Sequence, residues 1–169
     1  MLARQALRVR WSLALRSLLW MLILPGTIAS YIPWRYFRLA HTRISLTNPV
    51  DLLATLVIAA GMTLLGACIW EFFRSGRGTL SPVDPPKHLV VQGLYRYVRN
   101  PMYLAVSTIL LGEALLARSS ALLLYWAVFF TAANLFVRLY EEPTLRRQFG
   151  ESYERYTRTV GRWLPRRPR

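Results

Sequence analysis

Residues 102–140 read MYLAVSTILLGEALLARSSALLLYWAVFFTAANLFVRLY, two apolar runs separated only by Arg118, Ser119 and Ser120. So short an interruption leaves room only for a tight reversal, and the two runs therefore predict an antiparallel helical hairpin. The serines suit the start of the returning helix, because a serine hydroxyl accepts a hydrogen bond from a free backbone N–H of the first turn. We expect an all-α fold built around this hairpin.

Two further apolar runs precede the hairpin, at residues 11–31 and 50–73. A bilayer core about 30 Å thick needs roughly 20 apolar residues in a helix. We therefore expect an integral membrane protein with about four transmembrane helices, the last two at residues 102–117 and 121–140. In the second run small side chains recur at every fourth position and predict close packing against another helix; these are Thr55, Ala59, Thr63 and Ala67.

The first apolar run also has features of a secretory signal peptide. Basic residues precede it, and the TIA sequence at 27–29 weakly resembles a cleavage site. The run is long for a signal peptide, however, and Tyr31 and Trp34 suit an aromatic belt at the far membrane interface. We expect it to be a retained span.

Composition and charge agree with a membrane protein. Hydrophobic residues make up 54% of the chain and the net charge is +14. Such a basic excess in a soluble protein would indicate nucleic acid, but a chain this apolar is not of that class, so we expect no nucleic-acid partner. The basic residues concentrate near both termini and in the second loop, and the positive-inside rule places these segments in the cytoplasm. The chain has one cysteine and two distant histidines, so we expect no metal site.

Two cytoplasmic segments hold a distinctive set of polar residues: HLVVQGLYRYVRNPMYL at 88–104 and EEPTLRRQFGESYERYTRTVGRWLP at 141–165. Together they resemble the membrane methyltransferase superfamily that includes isoprenylcysteine carboxyl methyltransferases and bacterial phospholipid N-methyltransferases. The pattern is a Gly-x-Tyr turn, an Arg-His-Pro-x-Tyr motif entering a span, the hairpin, and Glu-Glu before Phe-Gly-x-x-Tyr-x-x-Tyr. Asn100 stands where that family often has histidine. The resemblance covers residues 80–165 of what we expect to be one domain, 1–169.

The resemblance implies methyl transfer from S-adenosylmethionine to a lipophilic or membrane-associated acceptor, in the manner of an isoprenylcysteine carboxyl methyltransferase. It implies a cofactor site at Val90, Gly93, Leu94, Tyr95, Arg99, Asn100, Pro101, Tyr103, Glu141 and Glu142. The candidates for catalysis are Tyr103, Glu142 and Arg146, and no base stands out among them. The sequence does not indicate an oligomeric state.

Residue chemistry gives each candidate at the third span two interpretations. Gly93 lets backbone approach a ligand closely, or it merely forms a loop turn. Arg99 and the helix N-terminus suit the carboxylate of the cofactor's methionine moiety, or Arg99 is only a positive-inside anchor. Asn100 is a good N-cap with Pro101 in the first turn, and we favour this capping role over catalysis.

The acidic residues also have alternative interpretations. Glu141 and Glu142 suit ribose hydroxyls or the cofactor's ammonium group, whereas the simpler alternative is an exposed helix pair between Arg138 and Glu142. For Glu113, near the far end of the third span, we favour a structural pairing with Arg118.

Beyond Pro143, aromatic and apolar residues recur at helical spacing while arginines fill the other faces. This pattern predicts an amphipathic C-terminal helix at the cytoplasmic surface, with Gly150 as its point of interruption and anionic membrane lipids as partners. Two other functions fit the sequence less well. One is a non-enzymatic membrane protein that binds anionic lipid or a protein partner, and the other is a sterol-type reductase with a nicotinamide cofactor.

Overall fold

The computed structural model describes residues 23–37, 39, 42, 44–75, 89 and 91–166. Over these residues the chain is helical, and the one β feature is an isolated bridge between Val98 and Gly161. The predicted all-α class is confirmed. Most of the first predicted span and the candidate Val90 lie outside the described residues.

The α-helices of the described part are, in chain order, α1 (Ile32–Tyr36), α2 (Pro49–Ser75), α3 (Pro101–Leu116), α4 (Ser120–Phe136), α5 (Glu142–Phe149) and α6 (Glu151–Thr159). A π-helical turn, Thr27–Tyr31, leads into α1, and a second, Val137–Glu141, joins α4 to α5. A 3-10 turn, Gly93–Arg96, precedes α3.

The predicted hairpin is present as α3 and α4. Arg118 adopts a left-handed backbone conformation, with φ of 47°. Ser119 is the N-cap of α4, and its hydroxyl accepts a hydrogen bond from the backbone N–H of Leu122 at 3.2 Å. The short polar interruption therefore reverses the chain and caps the second helix, as its sequence predicts.

α2 packs against α3 through small residues, but not through those that were predicted. Ala59, Thr63 and Ala67 are exposed. The close approach is made instead by Gly61, where an added Cβ would lie 2.7 Å from Ile109, and by Gly112, where it would lie 2.6 Å from Ile58. A glycine at each crossing lets the two backbones come nearer than any side chain would allow.

Two helical stretches of the described part are long and apolar enough to cross a membrane, by length and composition: Pro49–Glu71 and Ser120–Phe149. The helix Pro101–Leu116 is apolar but shorter. Large apolar side chains point outward from both long stretches, among them Leu53, Leu56, Leu124 and Val128. Such exposed apolar faces are expected where a helix contacts lipid.

Each π-helical turn directly precedes a helix with proline in its first turn, Pro33 in α1 and Pro143 in α5. Proline in a continuous helix loses one backbone hydrogen bond, and its ring clashes with the carbonyl four residues earlier. A wider turn ahead of the ring removes that clash. The backbone therefore stays helical from each π-helical turn through the proline that follows it.

Gly150 separates α5 from α6 with a φ of +49°, which confirms the predicted interruption. α6 is amphipathic and buries Tyr153 and Tyr156. Beyond α6 the chain lies against the entrance to α3, where the N–H of Arg99 donates to the Gly161 carbonyl at 2.9 Å and that of Arg166 donates to the Tyr97 carbonyl at 2.9 Å. The C-terminal segment is thereby tied to the residues that precede α3.

Candidate functional site

Polar side chains cluster where the C-terminal segment meets the entrance to α3. At the centre of this cluster lies the side chain of Glu142, which is 5% exposed. Arg162 donates to both of its oxygens, from Nε to Oε1 at 2.6 Å and from Nη2 to Oε2 at 2.8 Å. Arg99 adds an ion pair from Nη1 to Oε1 at 3.1 Å. The carboxylate of Glu142 is thus compensated by two guanidinium groups, a bidentate arrangement typical of strong ion pairs.

The simpler alternative, an exposed helix pair between Arg138 and Glu142, does not form. Arg138 donates instead to Oδ1 of Asn134 at 3.0 Å, and Trp163 donates to the same oxygen at 3.2 Å. Arg138 lies within the π-helical turn Val137–Glu141 and Glu142 follows it, so the regular four-residue spacing that this alternative assumed does not hold there.

The side chain of Arg99 reaches Glu142 at the start of α5 and Tyr153 in α6. Its Nη1 also donates to the hydroxyl of Tyr153 at 3.4 Å, and its side chain is only 11% exposed. Its Nε is buried and has no hydrogen-bond partner in the described part of the chain. A buried donor without a partner costs about 1–3 kcal/mol, so this Nε is a candidate contact for a bound ligand or water.

Asn100 occupies the N-cap position of α3, and Pro101 lies in the first turn, both as predicted. The predicted capping hydrogen bond is absent, however, because the Asn100 side chain makes no bond to the helix. Its amide donates instead to the carbonyl of Arg162 at 3.2 Å. Asn100 therefore joins the start of α3 to the C-terminal segment.

Glu141, the other member of the acidic pair, has a different environment. It is half-buried, and its Oε2 accepts a hydrogen bond from the hydroxyl of Tyr103 at 3.3 Å. Among the residues that the structure describes, it forms no salt bridge. The described part of the chain thus places no arginine against the carboxyl group of Glu141.

Tyr95 lies in the 3-10 turn before α3, and its side chain interacts electrostatically with Glu141 and Tyr103. Burial raises the pKa of Tyr95 well above its usual range, so its hydroxyl stays protonated. Its backbone carbonyl accepts a 2.6 Å hydrogen bond from the hydroxyl of Tyr156. Burial likewise raises the pKa of Tyr156, which keeps this donor intact.

Gly93 opens the same turn with a φ of +55°, a conformation that favours glycine. A Cβ at this position would lie 2.6 Å from Oε2 of Glu71. The end of α2 therefore contributes a carboxylate to the region, at a place that sequence reasoning missed. The spacing between Glu71 and Gly93 gives no local signal of this contact.

The remaining candidates lie at the edge of the region or away from it. Leu94 is half-buried in the 3-10 turn, and its carbonyl accepts hydrogen bonds from the N–H groups of Tyr97 and Val98. Arg146 lies at the surface and pairs with Glu154 at 2.7 Å, with both side chains about half exposed. No group of three or more potential metal ligands occurs within the described ranges.

Glu113 does not pair with Arg118, contrary to the prediction. Arg118 binds Asp51 at the start of α2, with Nη2 2.7 Å from Oδ1. Glu113 is 6% exposed, and its Oε2 has no hydrogen-bond partner among the described residues.

The structure thus brings together Gly93, Tyr95, Arg99, Asn100, Tyr103, Glu141 and Glu142, which sequence analysis placed in one site. It adds three residues that sequence analysis did not place there, Glu71, Arg162 and Trp163. The ring of Trp163 lies edge-on to that of Tyr103, with centroids 6.4 Å apart. The site is therefore built from the end of α2, the 3-10 turn, the start of α3, the residues around the start of α5, and the segment after α6.

Comparison with known proteins tests the suggested relationship. A family model described as phospholipid methyltransferase matches residues 49–152. The match covers more than half of the chain and begins at α2, well before the part that carries the resemblance in the sequence. No curated protein matches the chain. The chain belongs to the phospholipid methyltransferase family.

Proposed function

We propose that this chain transfers a methyl group from S-adenosylmethionine to a lipophilic acceptor that reaches the site from the membrane. Family membership implies a methyltransferase, and the long apolar helices fit a membrane location. The observation that carries the proposal is the unequal environment of the acidic pair. Glu142 is held by two arginines, whereas Glu141 lies beside Tyr103 with no basic partner in the described residues.

The residues present fit the groups of the cofactor. Its carboxylate needs a donor, and Arg99 has a buried Nε without a partner in the described part. Its ribose hydroxyls and ammonium group need an acceptor, and Glu141 has a half-buried carboxylate. We therefore assign Arg99 and Glu141 to cofactor binding, with Tyr95, Tyr103 and the Gly93 turn beside them.

Glu142 then has a positioning role. With both oxygens bound to arginine, its carboxylate is poorly placed to take a proton or a ligand. It holds Arg99 and Arg162 in place instead, and Asn100 adds a link to the backbone of Arg162. Through these contacts the start of α3, the start of α5 and the C-terminal segment keep one geometry.

When bound, S-adenosylmethionine supplies a methyl group activated by a sulfonium. Transfer of this methyl group requires the acceptor to lie in line with the bond between sulfur and methyl, and it requires exclusion of water. The protein supplies the alignment through the ion-pair cluster and the dry surroundings through aromatic rings. Trp163 packs against Phe130 with ring centroids 5.2 Å apart. An acceptor dissolved in lipid reaches such a site between helices.

For the acceptor we propose an amine of a membrane phospholipid. A protonated amine must lose its proton before it can accept a methyl group, because only the neutral form has a free electron pair. The description of the matched family supports the choice of an amine. A carboxylate acceptor, as in isoprenylcysteine carboxyl methyltransferases, is the alternative.

The test is incorporation of label from methyl-labelled S-adenosylmethionine by the purified chain in lipid nanodiscs. One sample contains phosphatidylethanolamine, and another contains a prenylated cysteine analogue. An N-methyl product resists mild alkali, whereas a methyl ester releases volatile methanol. We expect label that extracts with the lipid and that alkali does not release as methanol. This label should be lost in Glu141→Gln and kept in the surface control Glu151→Gln. Alkali-labile label would establish the carboxylate alternative, and no cofactor binding would contradict the enzymatic function.

A further inference from the structure

A second polar feature lies at the opposite end of the hairpin. Glu113 is about 18 Å along α3 from Pro101, at a rise of 1.5 Å per residue. It lines an open cavity of about 460 Å³, together with Gly26, Ser30, Tyr31, Trp34 and Leu39. The cavity volume lies within the range usual for small-molecule sites. This place is separate from the proposed cofactor site.

Within the described part of the chain, one oxygen of the buried Glu113 carboxyl group has no partner. The side chain is 6% exposed, and its Oε2 makes no hydrogen bond within the described residues. Arg118, the nearest base in the sequence, is bound to Asp51. Tyr125 interacts electrostatically with Glu113, but its hydroxyl donates to the carbonyl of Ile28 at 3.1 Å. A buried carboxylate without a partner is costly, so it indicates a missing cation or donor.

Two aromatic residues line the same cavity. Tyr31 and Trp34 line it and are 53% and 56% exposed. Tyr31 closes the first π-helical turn and Trp34 follows in α1, so the turn ahead of Pro33 sets their positions on the wall. Aromatic faces attract cations, and an ammonium carrying methyl groups also gains apolar contact with them.

We propose that this cavity binds an organic ammonium group, with Glu113 as its counter-ion and Tyr31 and Trp34 as aromatic walls. The chemistry suits a quaternary ammonium better than a metal ion, because the cavity offers one carboxylate and mostly apolar surface. Its two possible sources are the headgroup of a zwitterionic membrane lipid and a soluble ammonium compound.

The first experiment uses tetramethylammonium chloride as the probe and sodium chloride at equal concentration as the salt control. The purified chain in detergent is heated with increasing probe, since a ligand that binds the folded state raises the unfolding temperature. We expect a rise for the native chain, a dissociation constant at least tenfold larger for Glu113→Gln, and a severalfold larger one for Trp34→Ala. Glu151→Gln should behave as the native chain does.

Glu113→Gln keeps the shape of the side chain and removes only its ionisable group, so the variant should fold. Equal dissociation constants for the native chain and Glu113→Gln would overturn the proposal, and so would the absence of any probe effect on the native chain. The second experiment identifies the source by native mass spectrometry from mixed nanodiscs. Selective retention of phosphatidylcholine over phosphatidylglycerol, lost in Glu113→Gln, would identify a lipid headgroup. Probe binding without such retention would identify a soluble ammonium.

Discussion

Arg162 holds Glu142 through two hydrogen bonds, at 2.6 and 2.8 Å, across 20 positions of sequence. The hydrogen bond to Glu142 raises the pKa of Arg162, so the guanidinium remains charged. Because Arg99 reaches the same carboxylate, this one anion connects the entrance of α3, the start of α5 and the C-terminal segment. Removing it leaves two cations side by side.

We therefore expect Glu142→Gln to destabilise the protein by about 2–4 kcal/mol, since breaking one side of a buried ion pair leaves uncompensated charge. Thermal unfolding of the variant in detergent measures this loss. The double variant Glu142→Gln with Arg162→Gln should recover part of the stability, because one of the stranded charges is also removed. A Glu142→Gln protein as stable as the native chain would show that the cluster is not structural.

Glu141→Gln should have the opposite profile, with nearly unchanged stability and weaker cofactor binding. A charge-assisted hydrogen bond is worth about 1.5–3 kcal/mol, so the affinity for S-adenosylmethionine should fall about 10- to 100-fold. Calorimetric titration of cofactor into the folded variant measures the change, with Glu151→Gln as the matched surface control. Unchanged affinity would remove Glu141 from the cofactor site.

Gly93→Ala should weaken cofactor binding for two separable reasons. An alanine at a φ of +55° is strained by about 1 kcal/mol, and its Cβ meets the carboxylate of Glu71. In the double variant Glu71→Ala with Gly93→Ala the steric conflict is gone and only the backbone strain remains. We expect partial recovery of affinity relative to Gly93→Ala, and no recovery would mean that Glu71 does not constrain the turn.

The topology also remains a prediction. A reporter fused after Arg169 should be cytoplasmic, and one inserted between Arg38 and Thr47 should be on the other side, because basic residues concentrate near the termini and in the second loop. Protease accessibility of tags in intact and opened cells would check both positions. Both tags on one side would exclude the four-span arrangement, and a mature chain starting near Ser30 would identify the first run as a signal peptide.

The parts of the fold that sequence analysis predicted well are those set by local rules. The hairpin, the Ser119 cap and the break at Gly150 each follow from the apolar pattern or from the backbone preference of one residue. The alternative that paired Arg138 with Glu142 does not hold, because it assumed regular helix spacing through residues that form a π-helical turn.

The partners of the acidic residues could not be read from the sequence for a different reason. The C-terminal tail has many arginines, and nothing local distinguishes Arg162 from Arg158. Only the return of the chain after α6, with its bridge between Val98 and Gly161, brings Arg162 to Glu142. The contact between Glu71 and Gly93 likewise joins two elements that are far apart in the sequence.

The turn ahead of Pro143 has a consequence for how this chain tolerates length changes. A π-helical turn holds one residue more than an α-helical turn. The side chains that follow it are therefore rotated by about 100° around the helix axis, relative to their positions in a regular α-helix. In the helical stretch from Ser120 to Phe149, the exposed apolar side chains before the turn and the acidic pair therefore have different orientations about the helix axis. Deleting a single residue between Val137 and Glu141, while keeping both glutamates, would restore regular α-helical geometry. It would rotate Glu142 by about 100° around the helix axis, away from Arg162. An alanine inserted in the same place would rotate it the other way.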